Sequence, residues 1–352
     1  MPWWTWASPA FAWILLLAAW LGTAGALANA ALAAGLIATV FAAVYHAEVV
    51  AHRVGEPFGT LVLAVAVTVI EVALVASMML GAGPEKAALA RDTVFAAVMI
   101  VCNGIVGLCL LAGGARHREQ DFRLQGASAA LAVLAALTVL SLVLPNHTTT
   151  LPGPIFSTAQ LVFAGVVSLV LYGTFVFVQT VRHRDYFLPE SGEEEHAGPP
   201  SAAAALASLA LLLAALVAVV ALAKLLSPSV EAGVARMGAP DAVVGVVIAM
   251  LVLLPEGLAA VRAARANRLQ TSLNLALGSA LATIGLTIPA VAAISIAFAQ
   301  PLALGLEAKE TVLLGLTLLV SVITLGTGRT TVLQGMVHLV IFAAFLFFAV
   351  VP

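Results

Sequence analysis

Long apolar runs separated by short polar segments make up most of this chain. The runs have helical length, about 20 residues, which an α-helix needs to cross the hydrocarbon core of a bilayer. They lack the ten-residue alternation of a membrane β-barrel. The predicted spans are residues 9–28, 30–50, 57–81, 94–114, 127–145, 156–181, 202–226, 240–263, 271–299, 310–326 and 331–351. The pattern therefore predicts an all-α polytopic membrane protein with about 11 transmembrane helices.

The composition supports a lipid bilayer as the surroundings of this chain. Hydrophobic residues make up 62% of the sequence and charged residues 9%, whereas a soluble domain has about 25% charged residues. Trp3, Trp4 and Trp6 precede the first apolar run and are typical of an interfacial aromatic belt. The net charge of -2 gives no indication of a nucleic-acid partner. No bound cofactor is expected.

The distribution of basic residues predicts the orientation of the chain. With 11 spans the termini lie on opposite sides, and loops rich in Lys and Arg face the cytoplasm. The side of the N-terminus carries Arg53, Arg116, Arg118, Arg123, Arg182, Arg184, Arg262, Arg265, Arg268 and Arg329. The other side carries Lys86, Arg91, Lys224, Arg236 and Lys309. We expect a cytoplasmic N-terminus and an external C-terminus.

An acidic segment rich in Pro, Gly and Ser, RHRDYFLPESGEEEHAGPPS, divides the chain evenly. We predict a peripheral helix (1–28), a first five-helix repeat (29–182), an acidic cytoplasmic linker (183–201) and a second five-helix repeat (202–352). Because each repeat has an odd number of spans, the second enters the membrane inverted relative to the first. Inverted repeats are common in secondary transporters, whose substrate site lies near the midplane between the repeats.

Two carboxylates interrupt the apolar runs at corresponding places. Glu71 and Glu256 each lie inside the second span of a five-span repeat. A carboxylate at a helix centre costs about 2.5 to 3.5 kcal/mol, and such residues are usually functional. The alternative is a protonated acid hydrogen-bonded to a neighbouring helix. Pro255 favours a site, because it leaves the carbonyl of Leu251 without its helical donor, and such oxygens bind hard cations.

Charge arithmetic points to ion exchange. Two carboxylates in a low-dielectric site can be neutralised by one divalent cation or by two protons, whereas leaving both bare is unfavourable. Competition for one site would couple the flows of the two ions. Asn103 and Ser279, in the spans that follow the glutamate helices, are candidate site walls, and Thr68 is a candidate ligand one turn before Glu71. The alternative for each is a packing or back-bonding role.

Two segments carry a resemblance to a known family. GEPFGTLVLAVAVTVIEVALV and PEGLAAVRAARANRLQTSLNLALGSALATIGLTIPAV resemble the two α-repeats of the calcium/cation antiporter superfamily, most closely its bacterial ChaA-type calcium/proton antiporters. The resemblance implies exchange of cytoplasmic Ca²⁺ for external protons by alternating access in a bacterial inner membrane. It places the repeat glutamates on Glu71 and Glu256, which would bind Ca²⁺. Many members have Gly-Asn-Ala before the glutamate, whereas this chain has VTVIE and VLLPE, which predicts a less dedicated calcium site.

The end of the second span supplies candidates for proton entry. Glu48 and His52 are spaced i and i+4 and could form a cytoplasmic relay. The alternative is a pair of interfacial polar groups. Glu56 precedes Pro57, so it could equally be a helix-start carboxylate.

The expected function is antiport of Ca²⁺, with Na⁺ and K⁺ as further candidate cations, against protons. The first alternative is a Na⁺(K⁺)/H⁺ antiporter with little calcium transport. An intramembrane enzyme or a passive cation channel is a less favoured alternative, because no nucleophile and base converge in the sequence.

Overall fold

The structure is a computed structural model that describes residues 1–22, 25–55, 58–82, 87–188, 200–240 and 242–351. Glu56 and residues 189–199 of the acidic linker lie outside this range. The described part is almost entirely helical. Its long helices are α1 (Trp3–Trp20), α2 (Ala26–Val54), α3 (Phe58–Ala82), α4 (Leu89–His117), α5 (Leu124–His147), α6 (Thr158–Arg182), α7 (Ala202–Arg236), α8 (Ala242–Arg265), α9 (Leu269–Phe298), α10 (Ala308–Leu325) and α11 (Val332–Val350).

The predicted all-α polytopic class is confirmed. Within the described residues, 9 of these helices are long and apolar enough to cross a membrane. The largest differences lie at helix ends. α4 begins at Leu89, earlier than expected, because Arg91 Nε donates to Asp92 Oδ1 at 2.7 Å and Arg91 Nη1 donates to the Gly305 carbonyl at 3.1 Å. These bonds satisfy charged groups that the sequence alone assigns to a loop.

The chain forms two compact units. The first comprises Met1–Gly81 and Glu194–Asp241, and the second comprises Ala82–Glu193 and Ala242–Pro352. The first unit therefore contains α1, α2, α3 and α7, and the second contains the other helices. Each unit takes helices from both sides of the acidic linker. The compact units are thus a different division of the chain from the two predicted repeats.

In the first unit, α2 and α7 are an antiparallel pair joined by polar bonds at two levels. Asn29 Nδ2 donates to Ser229 Oγ at 2.9 Å, and His46 Nδ1 lies 3.1 Å from Ser208 Oγ. The other ring nitrogen of His46 lies 3.0 Å from the Thr5 carbonyl of α1. One buried histidine therefore joins three helices.

In the second unit, α4 is the central helix. In its most apolar stretch 89% of the residues are buried, against 22% for α11. Glycines bring α11 close to α4: a Cβ built on Gly107 would lie 3.0 Å from Leu339 Cγ, and one on Gly335 would lie 2.5 Å from the Leu111 backbone nitrogen. Small residues at such contacts allow membrane helices to approach closely.

Short connections fix the ends of the second unit. Two strands, β1 (Gln120–Asp121) and β2 (Arg329–Thr330), pair antiparallel at one end. At the other end, the Leu306 backbone N–H donates to the Leu142 carbonyl at 2.8 Å. The segment before α10 is therefore held against the end of α5.

Three helices of the second unit contain a π-helical turn: Ile100–Ile105 in α4, Val139–Val143 in α5 and Val178–Arg182 in α6. A π-turn changes the direction in which the following side chains point, and such turns are frequent at functional sites. The turn in α4 carries Asn103 and is completely buried.

We expect Gly335→Ala to destabilise the protein by about 1–3 kcal/mol, because the new methyl group would meet the α4 backbone, which has no rotamer to change. The matched control is Gly315→Ala on α10, where a Cβ meets nothing within 4 Å. That control should be neutral or slightly stabilising. Thermal unfolding of the purified variants measures both changes. Equal midpoints for the two variants would contradict the close packing of α4 and α11.

Candidate functional site

Glu256 lies inside α8 and is 7% exposed. The helix continues through Pro255, which is also buried. Proline has no N–H, so the carbonyl of Leu251 lacks its usual donor from the following turn. The predicted pair of a carboxylate and a released backbone oxygen thus lies within two turns of α8.

Two glycines of α8 place Glu256 relative to α4. A Cβ on Gly245 would lie 3.0 Å from the Thr93 backbone nitrogen, and one on Gly257 would lie 3.2 Å from Ile105 Cδ1. These contacts are equally spaced along both helices, so α8 and α4 run parallel and in register. Glu256, next to Gly257, therefore lies level with the π-helical turn that carries Asn103.

Asn103 is the centre of a buried hydrogen-bond network. Its Nδ2 donates to Thr317 Oγ1 at 2.9 Å, and its Oδ1 lies 3.1 Å from His338 Nδ1. Thr317 Oγ1 also donates to Met99 Sδ at 3.4 Å, and His338 Nε2 lies 3.2 Å from Thr324 Oγ1. The network joins α4, α10 and α11, and its polar side chains are at most 4% exposed.

Sequence reasoning did not include Thr317, Thr324 or His338 among the site residues. A signal was present for each of them. His338 lies inside an apolar run, unlike the histidines near helix ends, and the buried hydroxyls of Thr317, Ser321 and Thr324 recur at helical spacing on α10.

The hydroxyls of α9 lie on a helix that packs against both α4 and α8. Ser279 is half-buried, and Thr283, one turn later, is buried. Thr287 is completely buried as well. α9 therefore places a row of hydroxyl groups beside α8 and α4, the helices that carry Glu256 and Asn103.

Glu71 and Thr68 lie in the first compact unit. They are separated by one turn of α3, and they are 2% and 5% exposed. Neither side chain faces outward. Glu71 and Glu256 thus belong to different compact units, and their joint use of one cation is part of the proposed function below.

The candidates for proton entry are exposed where the structure describes them. Glu48 and His52 lie near the end of α2 with accessible side chains, whereas Glu56 is outside the described residues. The buried histidine of this helix is His46, which contacts α1 and α7. The role of the exposed pair as a proton relay stays a prediction.

Clusters of three or more His, Cys, Asp or Glu side chains suited to a metal ion do not occur in the part of the chain that the structure describes. The predicted cation site has a different composition. The prediction from the sequence is two carboxylates with carbonyl, amide and hydroxyl oxygens, which are ligands that hard cations accept.

Comparison with known proteins identifies the family. Residues 10–181 and 207–351 match the family described as sodium/calcium exchanger protein. The chain is 54% identical over 359 residues to the putative ionic transporter y4hA of Sinorhizobium fredii (strain NBRC 101917 / NGR234), covering 100% of this chain and 97% of the relative. It is 38% identical over 317 residues to the sodium-potassium/proton antiporter ChaA of Escherichia coli (strain K12), covering 89% of this chain and 86% of the relative.

A solved structure has the same fold. The crystal structure of the H⁺/Ca²⁺ exchanger CAX matches with a TM-score of 0.73 and 17% sequence identity, covering 97% of this chain and 86% of that chain. The match extends over nearly every described helix. This chain therefore belongs to the sodium/calcium exchanger family and is a membrane cation exchanger.

Proposed function

We propose that this exchanger is a proton-coupled antiporter that moves cytoplasmic Ca²⁺, with Na⁺ and K⁺ as further substrates, in exchange for external protons. The observation that carries the proposal is the burial of two carboxylates, Glu71 at 2% exposure and Glu256 at 7%, inside apolar helices. Buried acids in membrane helices are costly, and they usually mark ion pathways. The two lie at corresponding positions of the predicted inverted repeats.

Coupling follows from charge balance at these two acids. One Ca²⁺ neutralises both carboxylates, as do two protons or two monovalent cations. A cation and protons therefore exclude each other from the site, and each direction of transport needs one or the other. The empty site, with both carboxylates ionised, would not change its access from one side of the membrane to the other. No separate gate is therefore required to prevent uncoupled transport.

The remaining ligands are proposed to come from polar groups on the two glutamate helices and on the helices that follow them in the chain. We assign the released carbonyl of Leu251, the hydroxyls of Thr68 and Ser279, and the carboxamide of Asn103 to the walls of the site. Level placement of Glu256 and the Asn103 turn supports this assignment. Neutral oxygens replace part of the hydration shell of the cation, while the acids supply the charge.

Alternating access between inverted repeats accounts for movement across the membrane. In this proposal the substrate site opens in turn to the cytoplasm and to the exterior. The excess of basic residues on the side of the N-terminus supports a cytoplasmic N-terminus and an external C-terminus in a bacterial inner membrane. The exposed residues Glu48 and His52 would then lie at the cytoplasmic end of α2.

A second candidate is a Na⁺(K⁺)/H⁺ antiporter with little calcium transport. Two observations favour it: the relative that is 38% identical is a sodium-potassium/proton antiporter by name, and VTVIE and VLLPE replace the Gly-Asn-Ala stretch before each glutamate. Both candidates use the same acids and the same coupling. They differ in the ligands that complete the cation shell.

The test is ion flux in proteoliposomes with an imposed pH gradient. We expect wild-type protein to drive uphill ⁴⁵Ca²⁺ movement, with ²²Na⁺ and ⁸⁶Rb⁺ as competitors. Uphill ²²Na⁺ and ⁸⁶Rb⁺ flux without ⁴⁵Ca²⁺ flux would select the second candidate. Flux that only dissipates the cation gradient, with no proton movement, would overturn both.

Glu71→Gln and Glu256→Gln should each reduce coupled exchange by at least about 100-fold, because a neutral amide cannot exchange a proton or supply charge. The matched control is Glu119→Gln, which neutralises an exposed acid and should leave the rate unchanged. Rates are compared per mole of monodisperse protein. A native rate in either buried variant would remove that acid from the mechanism.

Pro255→Ala should weaken cation affinity about three- to tenfold, because the new N–H would bond to the Leu251 carbonyl and occupy one of its two lone pairs. Expression and thermal stability should be unchanged or improved, since alanine is the better helix former. The apparent KM for the cation measures the effect. An unaltered KM would exclude the released carbonyl as a ligand.

A further inference from the structure

The hydrogen bonds around Asn103 form a chain in which each group donates to the next. We call Met99, Asn103, Thr317, Thr324 and His338 the carboxamide network. Thr317 Oγ1 donates to Met99 Sδ at 3.4 Å, so its oxygen is available to accept from Asn103 Nδ2 at 2.9 Å. The Asn103 oxygen therefore faces His338.

In this arrangement the tautomer of the histidine follows from the orientation of the amide. With the Asn103 oxygen toward His338, Nδ1 carries the hydrogen in the 3.1 Å bond between them, since Oδ1 can only accept. The other ring nitrogen, Nε2, then accepts from Thr324 Oγ1 at 3.2 Å. A rotated Asn103 amide would require the other tautomer of His338 and would take the Thr317 hydroxyl away from Met99. Thr317 and His338 thus contact the carboxamide from both sides.

The π-helical turn connects this network to the helix of Glu256. Asn103 and Ile105 belong to the same turn of α4, Ile105 contacts Gly257, and Glu256 precedes Gly257. On the opposite side, a Cβ on Gly107 would lie 3.1 Å from His338 Cβ. The turn is therefore enclosed between α8 and α11, with little room for an independent shift.

We propose that His338 is a positioning residue of the cation site, which holds the Asn103 carboxamide and its π-helical turn in the orientation that cation binding requires. The proposal rests on the proposed function, because it assigns Asn103 to the walls of that site. It adds a residue of the last helix, outside both glutamate helices, to the determinants of cation affinity and selectivity.

A purely structural histidine would act on stability alone. The distinguishing readout is therefore the ratio of cation affinities, not the amount of folded protein. His338→Leu removes the hydrogen bonds of the ring at similar size. His338→Asn keeps an N–H close to the position of Nδ1 and should restore the bond to Asn103.

In proteoliposomes we expect His338→Leu to raise the apparent KM for the transported cation at least about fivefold, the effect of leaving one buried acceptor unsatisfied. The ratio of the KM values for Ca²⁺ and Na⁺ should change, while the maximal rate stays within about twofold. His338→Asn should return KM to within about threefold of wild type. Thr317→Val, which removes the other partner of Asn103 at constant volume, should shift KM in the same direction and tests the proposal if His338→Leu does not fold.

Ser321→Ala is the matched control. Ser321 is buried on α10 between Thr317 and Thr324, and its hydroxyl has no hydrogen-bond partner within the described residues. Its substitution should leave KM unchanged. Unchanged KM values and ratios in His338→Leu or Thr317→Val, with wild-type exchange intact, would overturn the positioning role alone. Wild-type cation flux without proton movement would instead contradict the proposed function, and the KM comparison among variants would still decide the role of His338.

Discussion

Close packing of α4 against α8 and α11 is the constraint on which the second compact unit depends. Apolar burial provides little net attraction between helices that are already in lipid, so the packing of small residues and interhelical hydrogen bonds hold them together. Here Gly245 and Gly257 bring α8 to α4, while Gly107 and Gly335 bring α11 to its other side. The same contacts set the level of Glu256 relative to Asn103, so the packing of the unit and the geometry of the candidate site have one origin.

The buried polar groups assigned to the candidate site are of two chemical kinds. Around Asn103, polar side chains hydrogen-bond to one another across three helices. Glu71 and Glu256 are instead buried carboxyl groups, and in the proposed function the transported ions neutralise their charge. In the proposed mechanism the two kinds of group have different roles. The neutral oxygens select the cation, and the two acids couple its movement to protons.

The family relationship establishes the kind of transport, whereas the choice of cation is argued from the site. Membership of the sodium/calcium exchanger family rests on matches over most of the chain, and it establishes cation exchange. In the proposed function the choice among Ca²⁺, Na⁺ and K⁺ depends on the oxygens that surround the two glutamates. The stretches VTVIE and VLLPE depart from the Gly-Asn-Ala of many superfamily members, so the proposed selectivity is argued from this chain's own residues.

The sequence alone determined the helical class, the number of helices and the positions of the two buried acids, because hydrophobic length and an isolated charge are local properties of the chain. It also indicated Pro255 as a break in the backbone bonding of α8. Only the tertiary structure decided that α4 begins at Leu89, that it contains a π-helical turn, and that Asn103 is bonded to Thr317 and His338. Those features depend on partners far away in the chain, and periodicity within one helix carries no record of which distant side chain will satisfy a buried polar group.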